Sequence, residues 1–108
     1  MTYYHVTRTW TGGDDLLSLA DQLGEEEAVR QFCEQWPDAC GIADIHVYYI
    51  HLFDTEEDAR EMARDLGGRV LAIDGEFIDV SIDTSEPNHP HHVTRGPIPE
   101  TDISELTA

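Results

Sequence analysis

The spacing of hydrophobic residues predicts one strand and two helices in the first third of the chain. Thr2–Thr7 is rich in aromatic and β-branched residues, which favour strands. Beyond it, leucine and alanine side chains recur on one helical face, with Asp14 as the predicted N-cap and Gly24 as the predicted end. Three consecutive glutamates, which favour the positive end of a helix dipole, then begin a second helix that ends at Pro37.

The middle of the chain predicts a buried strand followed by a helix. Residues 45–53 are nearly all strand formers and are apolar on both faces, which is typical of a central strand. Thr55 and Asp58 have the spacing of a capping box, with aspartate in place of the usual glutamate. The apolar residues that follow repeat at helical spacing and stop before Gly67 and Gly68, which predicts a helix between these signals.

The last third of the chain predicts short strands on either side of a loop. Residues 69–73 suit a short strand, and apolar side chains alternate with polar ones over residues 77–83, as in a half-buried strand. Residues 84–92 are rich in proline and histidine and predict a loop. Residues 93–95 and 98–103 predict one more short strand and an edge.

Together these elements predict a single α+β domain that covers residues 1–108. Their order favours a small, mixed and mainly antiparallel sheet, with about three helices packed on one side. A length of 108 residues is near the commonest domain size, and it allows one hydrophobic core rather than two.

Charge is the most unusual property of the composition. The chain has 23 acidic residues and 6 basic ones, all arginine, so its formal net charge is −17 at pH 7. A surface of this sign repels the phosphates of nucleic acids, which excludes simple electrostatic binding to DNA or RNA. Three explanations stay open: a solvated surface adapted to high salt or to a GC-rich genome, a mimic of nucleic acid directed at a basic partner, and plain solubility.

The sequence also predicts a cytoplasmic protein. No apolar run approaches the roughly 20 residues that span a bilayer, and the N-terminus lacks the basic and apolar regions of a secretory signal. Cys33 and Cys40 have no CxxC spacing and no second cysteine pair beside them. They therefore predict buried thiols rather than a disulfide or a zinc site.

Two histidines on predicted strands are candidates for ligand contacts. His5 lies among tyrosines in the first strand, while Tyr49 and His51 share one face of the strand over residues 45–53. One interpretation is structural, with core groups satisfying these polar rings through hydrogen bonds. The other is functional: a histidine donates to a ribose hydroxyl while tyrosines stack on a flat ring, which binds a nucleotide without basic residues.

The loop at residues 84–92 is the third group of candidate residues. It contains Glu86 and three histidines. Imidazoles and a carboxylate so close together could bind a transition metal, but their spacing fits no structural zinc pattern. The other interpretations are an exposed loop without a metal, and a carboxylate that a proline turn holds at a cleft as a general base or charge stabiliser.

Three short segments carry a resemblance to a known family. In chain order they are Tyr4-His5-Val6-Thr7, the stretch over residues 50–59 that runs from Ile-His-Leu-Phe through Thr55 to Ala59, and Ile98-Pro99-Glu100. They resemble small ADP-ribosyltransferase-like domains, a group that includes bacterial toxins and relatives of RNA phosphotransferases. The resemblance implies an ADP-ribosyltransferase-like fold that binds NAD or a related nucleotide and modifies a protein or nucleic-acid acceptor.

The resemblance also implies roles for individual residues. His5 would hold the nicotinamide ribose, and His51, with Tyr49 as the alternative, would be the second residue of the site. A late acidic residue would stabilise the positive charge that develops as the nicotinamide–ribose bond lengthens. Glu86 is the nearest candidate for it by order along the chain, with Glu76 as the alternative.

Three tyrosine and threonine side chains complete the implied cofactor site. The resemblance assigns contacts with NAD to Tyr4 and Thr7 on the first strand and to Tyr49 on the middle one. The acceptor that receives ADP-ribose is left open, although the acidity of the chain favours a basic protein.

The alternative is a function of a different class that depends on the charge itself. A non-enzymatic inhibitor that imitates nucleic acid, as phage-encoded blockers of host defence nucleases do, would bind a basic protein partner through acids that are concentrated on the predicted helices. A metal-binding regulatory domain built on the histidine loop is a third interpretation. A concave site that contains His5, His51 and a carboxylate would favour the enzyme, and scattered side chains would favour the mimic.

Overall fold

The chain forms antiparallel sheets and four α-helices within residues 2–10, 12–75, 81–83 and 91–106, which the computed structural model describes. The strands are β1 Thr2–Thr7, β2 Ile50–Leu52, β3 Arg69–Asp74, β4 Ser81–Asp83, β5 His91–Thr94 and β6 Ile103–Glu105. The α-helices are α1 Leu19–Leu23, α2 Glu25–Gln35, α3 Ala43–His46 and α4 Glu56–Leu66, and 3₁₀ helices cover Pro37–Ile42 and Glu100–Asp102. These elements confirm the predicted α+β class. None of the described helices is both long and apolar enough to cross a membrane.

The strands form two three-stranded sheets rather than one mixed sheet. In the described residues β3 lies between β1 and β6, β5 lies between β2 and β4, and every pair of strands is antiparallel. Backbone hydrogen bonds between Tyr4 and Phe53 join β1 to the end of β2, with N to O distances of 3.0 and 2.6 Å. The two sheets therefore meet along β1 and β2.

Hydrophobic packing follows the alternation of side chains along β1. Tyr3 packs against the buried cluster that draws on both sheets: Leu16, Ile50, Leu52, Leu71, Ile73 and Ile98. Tyr4 and Val6 pack against a second cluster, which α4 and β3 supply: Ala59, Ala63 and Val70. Because successive residues of a strand point to opposite faces, His5 and Thr7 share the face of Tyr3.

Local signals correctly predicted β1, α2, β3 and α4. The last of these begins after Thr55, whose hydroxyl oxygen accepts a hydrogen bond from the Asp58 amide at 3.3 Å, and ends at Gly67 in the left-handed conformation with φ 71°. Gly68 then lies so close to β1 that an added Cβ would be 2.9 Å from the Thr7 carbonyl oxygen. The two glycines thus end the helix and allow the backbone of β1 to approach.

The predicted start of the first helix is wrong. α1 begins after Ser18, whose hydroxyl accepts from the Asp21 amide at 3.3 Å, so Asp14 is not its cap. Leu16 instead exchanges backbone hydrogen bonds of 2.8 and 2.9 Å with Ile98, and both side chains are fully buried. Burial between the two sheets outweighs the helical spacing of Leu16, since local propensity is weak beside tertiary packing.

The predicted strand over residues 45–53 is wrong over most of its length. The first part belongs to α3 and to the turn after it, and only Ile50–Leu52 pairs as β2. His46 and Val47 are buried by packing between helices, and the Val47 carbonyl accepts from the Ala20 amide at 2.9 Å. A segment that is apolar on both faces suits a buried helical turn as well as a strand, so the pattern did not separate the two.

A disulfide between Cys33 and Cys40 corrects the prediction of buried thiols. It joins the last turn of α2 to the 3₁₀ helix that begins at Pro37, where the chain turns back and brings the two Cα atoms to 4.7 Å. Neither cysteine is fully buried. Disulfides persist mainly in oxidising compartments, so the cysteines no longer support the predicted cytoplasmic location.

The predicted histidine loop ends earlier than residue 92. His91 and His92 belong to β5, so this strand begins two residues before the one predicted at 93–95. Residues 84–90, with Glu86, lie outside the described residues. The same holds for residues 76–80, which include Glu76 and most of the strand predicted over 77–83.

Candidate functional site

A cleft of about 1080 Å³ lies beside the junction of the two sheets. His5 and Thr7 from β1 line it together with Tyr49 and His51 from the β2 region. The C-terminal half of α2 and one stripe of α4 supply further walls. Four of the six predicted site residues therefore line a single cleft.

The His5 ring is fixed in the cleft wall by a hydrogen bond. Its Nδ1 lies 2.7 Å from the carbonyl oxygen of His51, and because a carbonyl only accepts, Nδ1 carries the hydrogen and donates. Desolvation lowers the pKa of His5 below 6.5, and the bond to His51 opposes that shift only in part. His5 is therefore neutral at pH 7 with Nε2 as an acceptor, so a ribose hydroxyl would donate to the ring, the reverse of the predicted direction.

The His51 ring is oriented by α3. Its Nε2 lies 3.2 Å from the carbonyl oxygen of His46 and donates to it, and the same carbonyl accepts from the Tyr49 amide at 3.2 Å. The buried His46 ring stacks on His51 with centroids 5.1 Å apart and an angle of 19° between the planes. Phe32 follows at 5.6 Å from His46, so three rings form a row along the cleft wall.

Tyr49 reaches the cleft from a turn rather than from a strand. Because β2 begins at Ile50, Tyr49 and His51 do not share the predicted strand face. The guanidinium carbon of Arg95 lies 5.5 Å from the centroid of the Tyr49 ring, in a cation–π arrangement. Arg95 thus covers one face of the Tyr49 ring, and Tyr49 also lines the cleft.

The contacts of Thr7 and Tyr4 are structural. The buried Thr7 hydroxyl accepts hydrogen bonds from the amides of Thr9 at 3.2 Å and Trp10 at 3.0 Å, which shapes the turn after β1. Tyr4 lies on the face of β1 opposite to His5 and packs on the cluster that contains Ala59. The structure therefore places Thr7 in the cleft wall and Tyr4 outside it.

Three carboxylates on α4 give the cleft an acidic side. From the sequence these helical acids are expected only in a surface for a basic partner, and not in this site. Asp58, Glu61 and Asp65 all line the cleft. Their i, i+3 and i+7 spacing places them on one face of the helix, and this periodicity is the signal from which they could have been found. The predicted catalytic acid, Glu86, lies outside the described residues.

Two arginines also line the cleft, and only one of them has an ion pair among the described residues. Arg30 binds both Glu27 and Glu34, and hydrogen bonds from Arg30 and Gln31 lower the pKa of Glu27 to about 2. Arg8 is exposed and makes no ion pair with any residue that the structure describes. Among the described residues, the cleft therefore presents one available cation, Arg8, together with a row of carboxylates.

No cluster of metal ligands is found in the described part of the chain, where no three histidine, cysteine, aspartate or glutamate side chains are placed to hold an ion. His92, from the predicted histidine loop, instead binds Asp54 with a distance of 2.6 Å from Nε2 to Oδ1. The Tyr3 ring lies 5.1 Å from the His92 ring. This histidine is thus held by a carboxylate away from the cleft.

No protein-family model, no curated protein and no solved structure matches this chain.

Proposed function

We propose that the cleft binds NAD or a related nucleotide and that the domain acts as an ADP-ribosyltransferase. The observation that carries this proposal is the shared position of His5 and His51 in one cleft wall, where the first ring is bonded to the backbone of the second at 2.7 Å. A volume of about 1080 Å³ is at the upper end of ordinary ligand pockets, which suits a dinucleotide.

Polar and aromatic groups in the cleft match the parts of NAD. The neutral His5 ring accepts a hydrogen bond from a ribose hydroxyl through Nε2, because Nδ1 is already committed to His51. Phe32 and Trp36 offer aromatic faces on which a nicotinamide or adenine ring can stack. Arg8 is the available cation for the pyrophosphate.

The carboxylates of α4 support the chemical step. Asp58, Glu61 and Asp65 create a negative field that favours the cationic nicotinamide ring and the positive charge that develops on the ribose. In the transfer, the electron pair of the C1′–N bond leaves with nicotinamide, and an acceptor nucleophile bonds to C1′ and gives its proton to a base. We assign the stabilising role to this row of carboxylates, with Glu86 as the alternative.

Calorimetric titration with NAD tests the binding step. For the wild-type chain we expect saturable binding below millimolar NAD, and for His5→Ala an affinity about tenfold lower, which corresponds to about 1.4 kcal/mol. His92→Ala is the matched control, because this histidine lies outside the cleft. No detectable binding at millimolar NAD by a folded sample refutes the cofactor assignment.

Release of nicotinamide tests the transfer step independently of binding. With NAD and an arginine-rich peptide as acceptor, Glu61→Gln should lower the rate of release at least about tenfold, because it neutralises one of the three carboxylates that stabilise the developing charge. Glu57→Gln removes the same charge from α4 at a position outside the cleft and should leave the rate unchanged. Equal rates for the two variants would remove α4 from the mechanism.

A second candidate function is mimicry of nucleic acid for a basic protein partner. The observation that favours it is the shortage of cations around the helical acids: Arg30, Arg60 and Arg69 pair with four glutamates, while exposed residues such as Glu26 and Glu57 have no ion pair among the described residues. Binding of this kind weakens as the Debye length falls from about 10 Å at 0.1 M salt to about 3 Å at 1 M. Capture of basic proteins by the chain at both salt concentrations tests this function. An amount of captured protein that does not fall at the higher salt concentration would count against mimicry.

A further inference from the structure

The exposed large hydrophobic side chains of the described residues all lie in one part of the fold. They are Leu23, Ile45 and Tyr48, which are 37%, 57% and 39% exposed. Leu23 is the last residue of α1, Ile45 belongs to α3, and Tyr48 follows α3 in the turn. None of the three lines the cleft, so this part of the surface is separate from the proposed nucleotide site.

Hydrogen bonds bring these three residues into one neighbourhood. The Tyr48 amide donates to the Ile45 carbonyl at 3.2 Å, which places the two residues in one helical turn. The Glu25 carboxylate at the start of α2, two residues after Leu23, lies close enough to the phenol of Tyr48 to raise its pKa. The Ala20 amide also donates to the Val47 carbonyl at 2.9 Å, so α1 is joined directly to this turn.

Three carboxylates lie next to these hydrophobic residues. Asp21 and Glu25 lie near the Tyr48 hydroxyl, and Asp44 precedes Ile45 in α3. No arginine occurs within residues 19–29 or 43–48. Leu23, Ile45, Tyr48, Asp21, Glu25 and Asp44 are called the α1–α3 surface below. It combines an apolar centre with a negative rim, as protein interfaces combine an apolar core with a polar rim.

We propose that the α1–α3 surface binds a basic, amphipathic segment of another protein. Apolar side chains of that segment would cover Leu23, Ile45 and Tyr48, while its lysine or arginine side chains would meet the surrounding carboxylates. This inference shares with the second candidate function only the expectation that the partner is positively charged. It does not depend on whether the cleft binds NAD.

The charge of the chain selects this occupant over the alternatives. With a net charge of −17, a second copy would bring like charges together, and the anionic headgroups of a membrane would be repelled in the same way. A purely apolar partner would leave the carboxylates of the rim unpaired at the edge of the contact. A basic segment satisfies both the apolar centre and the rim.

Three fluorescently labelled synthetic peptides of equal length test the proposal by fluorescence anisotropy. The first is an amphipathic helix of lysine and leucine, the second replaces every leucine with serine, and the third replaces every lysine with glutamate. The first peptide should bind the wild-type chain in a saturable manner. The second should bind at least about tenfold more weakly, and the third should not bind.

Variants of the chain locate the contact. Leu23→Ser with Ile45→Ser should weaken binding of the first peptide about tenfold, and Asp21→Asn with Glu25→Gln should weaken it by a similar factor. The control variant Glu57→Gln with Glu100→Gln also removes two negative charges, but from exposed positions outside the α1–α3 surface. It should change the affinity for the first peptide less than twofold. The substituted side chains are exposed, and a thermal melt of each variant confirms that it is folded.

Each other outcome overturns the proposal in a recognisable way. Equal binding of the first two peptides means that charge alone is recognised, which leaves the mimicry candidate standing without a specific surface. An equal loss of affinity in the variant Glu57→Gln with Glu100→Gln would also mean that only the total charge is recognised. A concentration-dependent dimer in sedimentation, abolished by Ile45→Ser, makes a second copy the occupant. Absence of binding by all three peptides to the folded chain removes this proposal, while mimicry is decided by the capture of basic proteins and NAD binding by calorimetry.

Discussion

His5 donates a hydrogen bond of 2.7 Å from Nδ1 to the carbonyl oxygen of His51, 46 residues further along the chain. The bond lies at the junction where Tyr4 and Phe53 also pair, so it helps to hold the two sheets together. One nitrogen of the ring is satisfied as in a structural histidine, and the other is left as an acceptor in a cleft wall. His5 can therefore stabilise the fold through Nδ1 and bind a ligand through Nε2. Substitutions can measure the two contributions separately.

Removal of this hydrogen bond should destabilise the fold measurably. We expect His5→Ala to lower the free energy of unfolding by about 1–3 kcal/mol, because the partly buried His51 carbonyl loses its donor. His5→Asn keeps an N–H group near the position of Nδ1 and should recover most of that loss. Urea unfolding followed by circular dichroism measures both variants. An equal loss in the two would show that the ring packing, rather than the hydrogen bond, stabilises the junction.

The lowered pKa of His5 predicts a loss of stability on mild acidification. Because the folded state lowers the pKa below 6.5, the unfolded chain binds more protons once the pH falls below that value, and the free energy of unfolding decreases there. His5→Asn lacks this proton, so its stability should approach or exceed that of the wild type as pH falls from about 7.5 to about 5.5. Glu27, whose pKa is lowered to about 2, stays charged throughout this window.

Denaturant unfolding at several pH values measures this difference between wild type and variant. Both proteins share the other histidines and the carboxylates, so their contributions cancel to first order in the comparison. A difference that is constant across the window would show that His5 is solvated and titrates in the folded protein as it does in the unfolded one.

The sequence was informative where local signals determine the structure. Thr55 predicted the start of α4 because its cap interaction involves residues only three positions apart. Leu16 was misassigned because its partner, Ile98, lies near the other end of the chain, and no local pattern records such a pairing. Val47 fits a strand and a buried helical turn equally well by hydrophobicity, and the contact of its carbonyl with α1, which is distant in sequence, favours the turn.

The candidate site was predictable to a similar extent. His5 was singled out because it lies among aromatic residues on a predicted strand, and His51 because a polar ring in an apolar strand requires a partner. The carboxylates of α4, such as Glu61, were assigned only to a surface for a basic partner, because their place in the cleft depends on how α4 packs beside β1. The disulfide of Cys33 depends on the turn at Pro37, which the sequence marks as a helix end without showing where the chain goes next.

The pairing of Leu16 with Ile98 predicts a large effect of a core substitution. Leu16→Ala should lower the free energy of unfolding by about 2–5 kcal/mol, because Leu16 is 0% exposed and lies in the cluster between the sheets. Leu23→Ala is the matched control: Leu23 is 37% exposed, and its truncation should cost less than about 1 kcal/mol. Urea denaturation gives both values, and similar losses at the two positions would contradict the assigned burial.

Reduction of the disulfide should destabilise the native state. Cys33 and Cys40 are separated by 7 positions, and closing so short a loop contributes about 2.5 kcal/mol in the chain-entropy model. Dithiothreitol should therefore lower the melting temperature of the wild type. The variant Cys33→Ser with Cys40→Ser should melt at that lower temperature and should not respond to the reductant. A wild-type melt that is unchanged by complete reduction, verified by thiol titration, would show that the turn at Pro37 holds this segment without the bond.

Salt should raise the melting temperature of this domain because its like charges outnumber its ion pairs. The chain has 23 acidic residues against 6 arginines, so folding concentrates carboxylates that the expanded chain keeps apart. Salt also screens attractive pairs such as Glu56 with Arg60, whose Oε2 to Nε distance is 2.8 Å. An exposed helical pair of this kind contributes only about 0.3–0.5 kcal/mol, which is too little to offset repulsion among the remaining acids.

Thermal melts at pH 7 in about 0.05 M and about 1 M sodium chloride measure the balance between these two effects, since the Debye length shortens from more than about 10 Å to about 3 Å over this range. Chloride is preferred because sulfate would also strengthen apolar burial. Glu57→Gln with Glu100→Gln removes two negative charges that have no ion pair among the described residues, and this variant should melt higher than the wild type at low salt and gain less from added salt. A wild-type melting temperature that stays level or falls as salt rises would mean that screening removes at least as much attraction as repulsion. Attractive interactions within the folded protein would then offset the repulsion among its carboxylates.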